Sequence, residues 1–281
     1  MAEPIPVRLA EGLAGCIQPG GGSKVLWIHG YTLDSSSWGE MWRRLPAWYH
    51  VGLDLPGHGG SAPISGADDL RTLGRKVADL CREQDIRHIV ALSFGTVTGT
   101  QVLIEAPEHF WSVVLGAPTL AGGPSDPEVG ITYGRLHGLY KEVGPGRRMA
   151  ATWMGCIAWE GLDQQPALRE HLGRLVENHG WSELEDWRIL RLLQPPQREE
   201  DLRSIGTPML ILIGELDLPA FHACAEILQR TVRRCERVTL PATHHLCMLE
   251  SPAPSARAIE RHLRSNDRAS RRIAGSESSS P

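Results

Sequence analysis

No apolar run in this chain of 281 residues approaches the roughly 20 that a helix needs to cross a bilayer. The first residues, MAEPIPVRLAEG, lack the charged-then-apolar order of a secretion signal. Positive charge is not in excess. The formal net charge is −4 and no basic helix stands out, which removes the electrostatic case for nucleic acid or an anionic membrane as partner. Cysteine is sparse and scattered. The six, at 16, 81, 156, 224, 235 and 247, form neither a CxxC pair nor a zinc-like spacing, so no metal site is expected. The expectation is a cytoplasmic protein with reduced thiols, a monomer or homodimer whose partner is a small-molecule substrate. There is no internal repeat. What is present is the composition of an ordinary globular protein, 41% apolar and 22% charged, long enough for one large domain or two small ones.

Strand and helix patterns alternate along the chain. Residues Ile5 to Ile17 read as a hairpin around Glu11-Gly12. Then come short continuous apolar runs: Val25 to Ile28, Val51 to Asp54, Ile89 to Leu92, Val113 to Leu115, Met209 to Ile213 and Val238 to Leu240. Runs of this kind belong to strands buried on both faces. Helical patterns lie between them at Ser36 to Leu45, Leu70 to Cys81, Thr96 to Ile104, Ala220 to Leu228 and Pro254 to Leu263, with Asp68 or Asp69 capping the second. The expected fold class is therefore α/β, a mostly parallel β-sheet flanked by helices. One stretch breaks the alternation. Residues 121–204 contain no clear strand but carry Trp153, Trp159, Trp181, Trp187, Tyr133 and Tyr140. This stretch reads as an inserted helical cap on a core of residues 1–120 and 205–265, with 266–281, rich in Ser and Arg, as a disordered tail. The cap aromatics serve the cap's own core, and some are expected to wall a pocket.

Residues able to do chemistry fall at the ends of the predicted strands. Ala91-Leu92-Ser93-Phe94-Gly95 joins an apolar strand to a helix. A Ser there stands on a sharp turn, so the positions two before and two after it must be small. The helix start also aims the N–H of Phe94 at any developing oxyanion. Gly214-Glu215-Leu216-Asp217 offers two carboxylates after the fifth apolar run, and His244-His245 offers two imidazoles before Leu246-Cys247. From the residues alone both choices stay open. Cys247 reads as a core or pocket-wall thiol. His29-Gly30-Tyr31-Thr32 follows the first apolar run, and Asp54-Leu55-Pro56-Gly57-His58-Gly59-Gly60-Ser61 the second.

In this order, these runs resemble the α/β-hydrolase family, in the capped Ser-His-Asp branch that holds esterases, thioesterases and a menaquinone-pathway lyase. The family's elbow has Gly on both sides of its Ser, and Ala91 replaces the first here. The resemblance covers about residues 20 to 265 and is only architectural within the cap. It implies Ser93 as nucleophile, Asp217 as the acid from the G-x-x-D spacing, and His245 as the base. The family's His is followed five residues on by an acid and seven on by Pro, and Glu250 and Pro252 both count back to His245. It further implies an oxyanion hole from the backbone N–H groups of Phe94 and Tyr31, with His29, Asp54 and His58 structural and no cofactor. Leu92, Trp153, Trp159 and Leu246 are the expected substrate-binding residues, in an apolar pocket. The implied reaction is acyl transfer from a carboxylic ester or thioester. Dehalogenases and epoxide hydrolases of this fold use an Asp nucleophile, and Ser93 argues against both. Two other readings stand beside hydrolysis: elimination by the same triad, although the lyase's Arg four residues after the Ser is Val97 here, and a silent ligand binder.

Overall fold

The computed structural model describes residues 3–277, with side chains described through 267. Among these, eight strands form one sheet in the order β1-β2-β4-β3-β5-β6-β7-β8. The hairpin β1 (Ile5–Ala10) and β2 (Leu13–Gln18) pairs antiparallel, and β2 joins β4 antiparallel. From there on, β3 (Lys24–Ile28), β4 (Tyr49–Leu53), β5 (Ile86–Leu92), β6 (Ser112–Gly116), β7 (Met209–Gly214) and β8 (Cys235–Leu240) pair parallel. Every residue of β6 and β7 is buried, so both faces of the sheet are covered, which is why these strands read as unbroken apolar runs.

The helices begin with α1 (Gly39–Arg44), which follows a 3-10 turn at Ser35–Trp38, and α2 (Leu70–Glu83). The cap of α2 is Asp69, whose carboxylate accepts from Thr72 N–H at 2.7 Å; Asp68 instead accepts from Ser65 N–H. Next, α3 (Phe94–Glu105) packs on α2 and on β5. The core beneath α1 holds Trp27, Trp38 and Trp42 around His50. His50 accepts from the Trp27 indole N–H at Nδ1 (3.0 Å), and its Nε2 lies 3.0 Å from the Leu45 carbonyl. Burial pushes this imidazole down to about 4, so it works as a neutral link between strand and helix.

Between β6 and β7 the insertion is helical throughout: α4 (Pro127–Val143), α5 (Arg147–Met154), a 3-10 stretch Ile157–Gln164, α6 (Pro166–Asn178), an interrupted segment Ser182–Leu193, and α7 (Glu199–Arg203). Asp126 caps α4, with Pro127 in its first turn. The two ends of the insertion are tied together. Gln197 donates its backbone N–H to Ala121 O, accepts Ala121 N–H at its amide oxygen, and donates its amide to Val97 O on α3. An insertion whose ends meet leaves the sheet's register undisturbed.

The chain closes with α8 (Pro219–Thr231), α9 (Cys247–Glu250) and α10 (Pro252–Glu277). The last corrects an expectation, because the backbone of 266–277 is helical and not irregular. The stretch lacks an apolar stripe, but its Arg, Ala and Glu are good helix formers and Gly275 is its weakest former. Residues 278–281 of the expected tail lie outside the described residues.

Candidate active site

The strand β5 ends at Leu92 and α3 starts at Phe94, so Ser93 alone makes the turn. It adopts φ 50° and ψ −124°, a conformation that costs an L-residue energy and lifts its side chain clear of the sheet. The neighbouring glycine follows from geometry. A Cβ on Gly95 would lie 2.4 Å from His29 O and 2.7 Å from Ile28 O, both backbone atoms that cannot step aside. On the other side stands Ala91, where the family has glycine. Its methyl faces Gly99 on α3, and a Cβ at 99 would lie 3.2 Å from it. The bare α-carbon of Gly99 leaves room for that methyl where strand and helix approach closely.

Ser93 Oγ lies 2.7 Å from His245 Nε2, and His245 Nδ1 lies 3.0 Å from Asp217 Oδ1. Both His245 and Asp217 are buried. Leu218 N–H donates to the same Asp217 oxygen at 2.8 Å, which holds the carboxylate toward the imidazole. The rejected alternatives are occupied elsewhere. Glu215 accepts from Ala242 N–H, and the His244 ring stands beside Glu250, with Nδ1 3.6 Å from Oε2. The Phe221 ring lies 4.0 Å from the His245 ring and flanks it. Cys247 is fully buried, with its thiol pushed well above the ordinary range first by burial and then by Asp217. A thiol so placed carries little of the thiolate that nucleophilic attack needs.

Tyr31 follows Gly30, whose bare α-carbon lets the loop come close; a Cβ there would stand 3.5 Å from Ser93 Cβ. Among the described residues, the N–H groups of Tyr31 and Phe94 have no hydrogen-bond acceptor. Both are therefore free to serve an oxyanion beside Ser93. His29 does not face the chemistry. Its Nδ1 lies 2.7 Å from Gly30 O and its Nε2 accepts from Leu55 N–H at 3.0 Å, while burial lowers its pKa. The Asp54 carboxylate accepts from Ser35 and Gly60 N–H. The Asp54–Ser61 run is a turn wound on that carboxylate, and the positive φ of Gly59 admits it.

A cavity of about 570 Å³ opens over Ser93 between core and cap. Tyr31, Phe94 and Leu246 form its core side together with the Ser93–His245 pair; Tyr133, Trp153, Trp159, Trp187, Ile189 and Leu193 form its cap side. Of the expected substrate-binding residues, Trp153, Trp159 and Leu246 line it and Leu92 does not. As the last residue of β5, Leu92 is fully buried, and the chain turns toward the cavity only at the next position. Tyr133 is one of the cap aromatics from which pocket residues are expected, whereas no local pattern marks Phe221 or Ile189. Trp181 is wholly buried within the cap. No Lys or Arg is among the residues lining the cavity, and Asp126 is its one carboxylate. Among the described residues no group of three or more His, Cys, Asp or Glu is placed to hold a metal ion.

Comparison with known proteins places this architecture. The model of the Alpha/beta hydrolase family matches residues 25–258. The dihydrolipoyllysine-residue acetyltransferase component of the acetoin cleaving system of Cupriavidus necator is 36% identical over 104 residues, 35% of this chain and only 27% of that protein. The pimeloyl-[acyl-carrier protein] methyl ester esterase of Aeromonas salmonicida is 24% identical over 83% of this chain and 92% of that protein. The 2-succinyl-6-hydroxy-2,4-cyclohexadiene-1-carboxylate synthase of Enterobacter sp. is 28% identical over 85% of this chain and 91% of that protein. Among solved structures, a thermophilic esterase from Thermogutta terrifontis superposes with a TM-score of 0.74 at 22% identity, covering 94% of this chain and 99% of that one.

Proposed function

Because the chain belongs to the alpha/beta hydrolase family, we propose that it is a serine hydrolase acting on a carboxylic ester or thioester of a small apolar or aromatic acyl group. One observation carries this reading. The Ser93–His245–Asp217 chain of contacts, at 2.7 and 3.0 Å, opens onto an apolar cavity. In the proposed reaction His245 Nε2 takes the Ser93 proton as Oγ attacks the carbonyl carbon. The N–H groups of Phe94 and Tyr31 hold the oxyanion, and Asp217 steadies the imidazolium through Nδ1. His245 then returns the proton to the leaving oxygen or sulfur. Water repeats the cycle on the acyl-enzyme and frees Ser93.

The cavity also weighs against the elimination reading. The synthase relative's name describes a carboxylate product, and an anionic substrate needs a cation nearby. The position where the resemblance places Arg is Val97, which is buried in the core, and the cavity lining has no Lys or Arg. The test is twofold. A fluorophosphonate should label wild-type Ser93 and leave Ser93→Ala unlabelled, and a panel of neutral and anionic esters should be hydrolysed with preference for neutral apolar acyl groups. Release of an unsaturated product without oxygen from labelled water would establish elimination instead, and no labelling and no turnover would leave a binder.

A further inference from the structure

Away from Ser93, the core and cap meet at a buried polar knot. The Tyr31 phenol donates to Glu183 Oε1 at 2.6 Å, and His179 Nε2 lies 3.0 Å from the same oxygen. Glu183 is fully buried, and Tyr31, His179 and His58 are each exposed by 5% or less. The His58 ring, from the Asp54–Ser61 turn, lies 4.6 Å from His179 and 5.7 Å from Tyr31. One carboxylate thus joins the Tyr31 loop to the cap, and the His58 ring packs on both Tyr31 and His179.

Cap stability alone does not account for this arrangement. Among the described residues Glu183 Oε2 has no hydrogen-bond partner, and a half-satisfied buried carboxylate is a costly way to hold two surfaces together. The backbone on both sides is strained as well. Trp181, Asp186 and Trp187 around Glu183, and Thr32 after Tyr31, all have left-handed φ values of 50° to 63°. Strain of this kind persists where surrounding structure imposes it, and it clusters at functional sites. Burial and the adjacent Glu183 also raise the Tyr31 phenol well above its ordinary range, so it remains a donor.

We propose that Glu183 is a positioning residue for the oxyanion loop: by accepting the hydrogen bond of the Tyr31 phenol it fixes that residue's backbone N–H beside Ser93 and makes acylation depend on a seated cap. The inference rests on the hydrolase reading above. Tyr31 has two roles in it. Its N–H serves the reaction, and its hydroxyl reports whether the cap is in place.

Pre-steady-state acylation of the full chain by p-nitrophenyl butyrate tests it. The variants are Tyr31→Phe, Glu183→Leu, their double variant and Glu183→Gln. Removing a donor to an oxyanion costs 100-fold or more, and loosening one should cost less. The acylation rate should therefore fall about 10- to 100-fold in Tyr31→Phe and Glu183→Leu, with KM changed by less than about threefold. The double variant should be no slower than the slower single one, because both cut one link. Glu183→Gln keeps an oxygen for the phenol and should recover to within about threefold of wild type. An unchanged rate in Tyr31→Phe, a loss confined to KM, or multiplying losses in the double variant would each overturn the proposal. Should Glu183→Leu fail to fold, Tyr31→Phe and Glu183→Gln decide it. If fluorophosphonate labels the wild type and the variants acylate normally, only the clasp falls; an unlabelled, inert wild type removes the hydrolase reading and the clasp with it.

Discussion

The exchange of small residues at the elbow can be measured as a coupling energy. Gly99→Ala adds a methyl 3.2 Å from Ala91 Cβ, and within 3.7 Å of Ile89 Cγ2 and Leu115 Cδ2. Overpacking of this degree costs about 1–3 kcal/mol, against about 1 kcal/mol gained by replacing glycine inside a helix. The single variant should therefore be destabilised by about 0–2 kcal/mol. Ala91→Gly loses a buried methyl, about 0.8 kcal/mol, and about 0.5–1 kcal/mol of chain entropy. In the double variant the added methyl occupies the space the first one left, so the overpacking vanishes and the helix gain remains. We predict that the double variant is more stable than the sum of the singles by about 1–3 kcal/mol. Urea unfolding of the four proteins at one pH reads this directly. Additivity within about 0.5 kcal/mol would refute the claim that Gly99 compensates for Ala91, and the elbow's departure from the family pattern would then have no structural explanation.

Four further outcomes follow from the same geometry. Ser93→Ala should remove nearly all turnover in an ester assay while leaving the urea midpoint nearly unchanged, since among the described residues the hydroxyl's one partner is His245; substantial residual turnover would exclude Ser93 as nucleophile. His245→Ala should be inactive and His244→Ala active; the reverse would move the base one residue. Asp217→Asn should lose about a thousandfold in kcat, because removing a charge about 4 Å from the imidazolium is worth about 4 kcal/mol, yet Leu218 N–H keeps an oxygen turned toward His245. A loss matching that of Asp217→Ala would show that the amide flips and forces the wrong tautomer. For pH, His50 is neutral when folded and falls to about 4, whereas the unfolded chain takes a proton near pH 6.5. The stability this represents is present above pH 6.5 and is lost as the pH falls through about 4, by up to about 3 kcal/mol. Urea midpoints at pH 7 and pH 5 should diverge less in His50→Gln than in wild type, and equal divergence would assign the acid sensitivity to other groups.

Strands β3 to β7 were legible because a parallel sheet buried on both faces writes itself as continuous apolar runs, whereas the edge strand β8, half exposed, shows only the short run Val238 to Leu240. The cap was legible as a gap in that alternation. The triad acid and base were not fixed by residue type, since Glu215 and His244 offer the same chemistry one or two positions away. Family spacing favours Asp217 and His245, and the fold places those two side by side, with Leu218 N–H on the Asp217 carboxylate. Leu92 was misread because adjacency to a nucleophile in sequence is not adjacency in space where a strand ends and reverses its facing. The helical backbone of 266–277 was missed because an absent apolar stripe argues against packing, not against helix formation.

Two hydrogen bonds mark the limit of such reading. Ser93 to His245 and Tyr31 to Glu183 each join residues 152 positions apart. The first could be anticipated because each partner sits in its own local pattern, an elbow and an imidazole loop, and the fold supplies the meeting. The second could not. Glu183 stands in a cap whose helices carry no shared motif, and an acid at an exposed-looking position among Ser182, Glu185 and Asp186 reads as solvated surface. It is nevertheless fully buried, just before a kink where left-handed backbone at Asp186 and Trp187 breaks the segment. Such a break is decided by tertiary packing and leaves no periodic trace. The proposed chemistry is thus legible locally at strand ends, and the proposed control of it only in the contacts between core and cap.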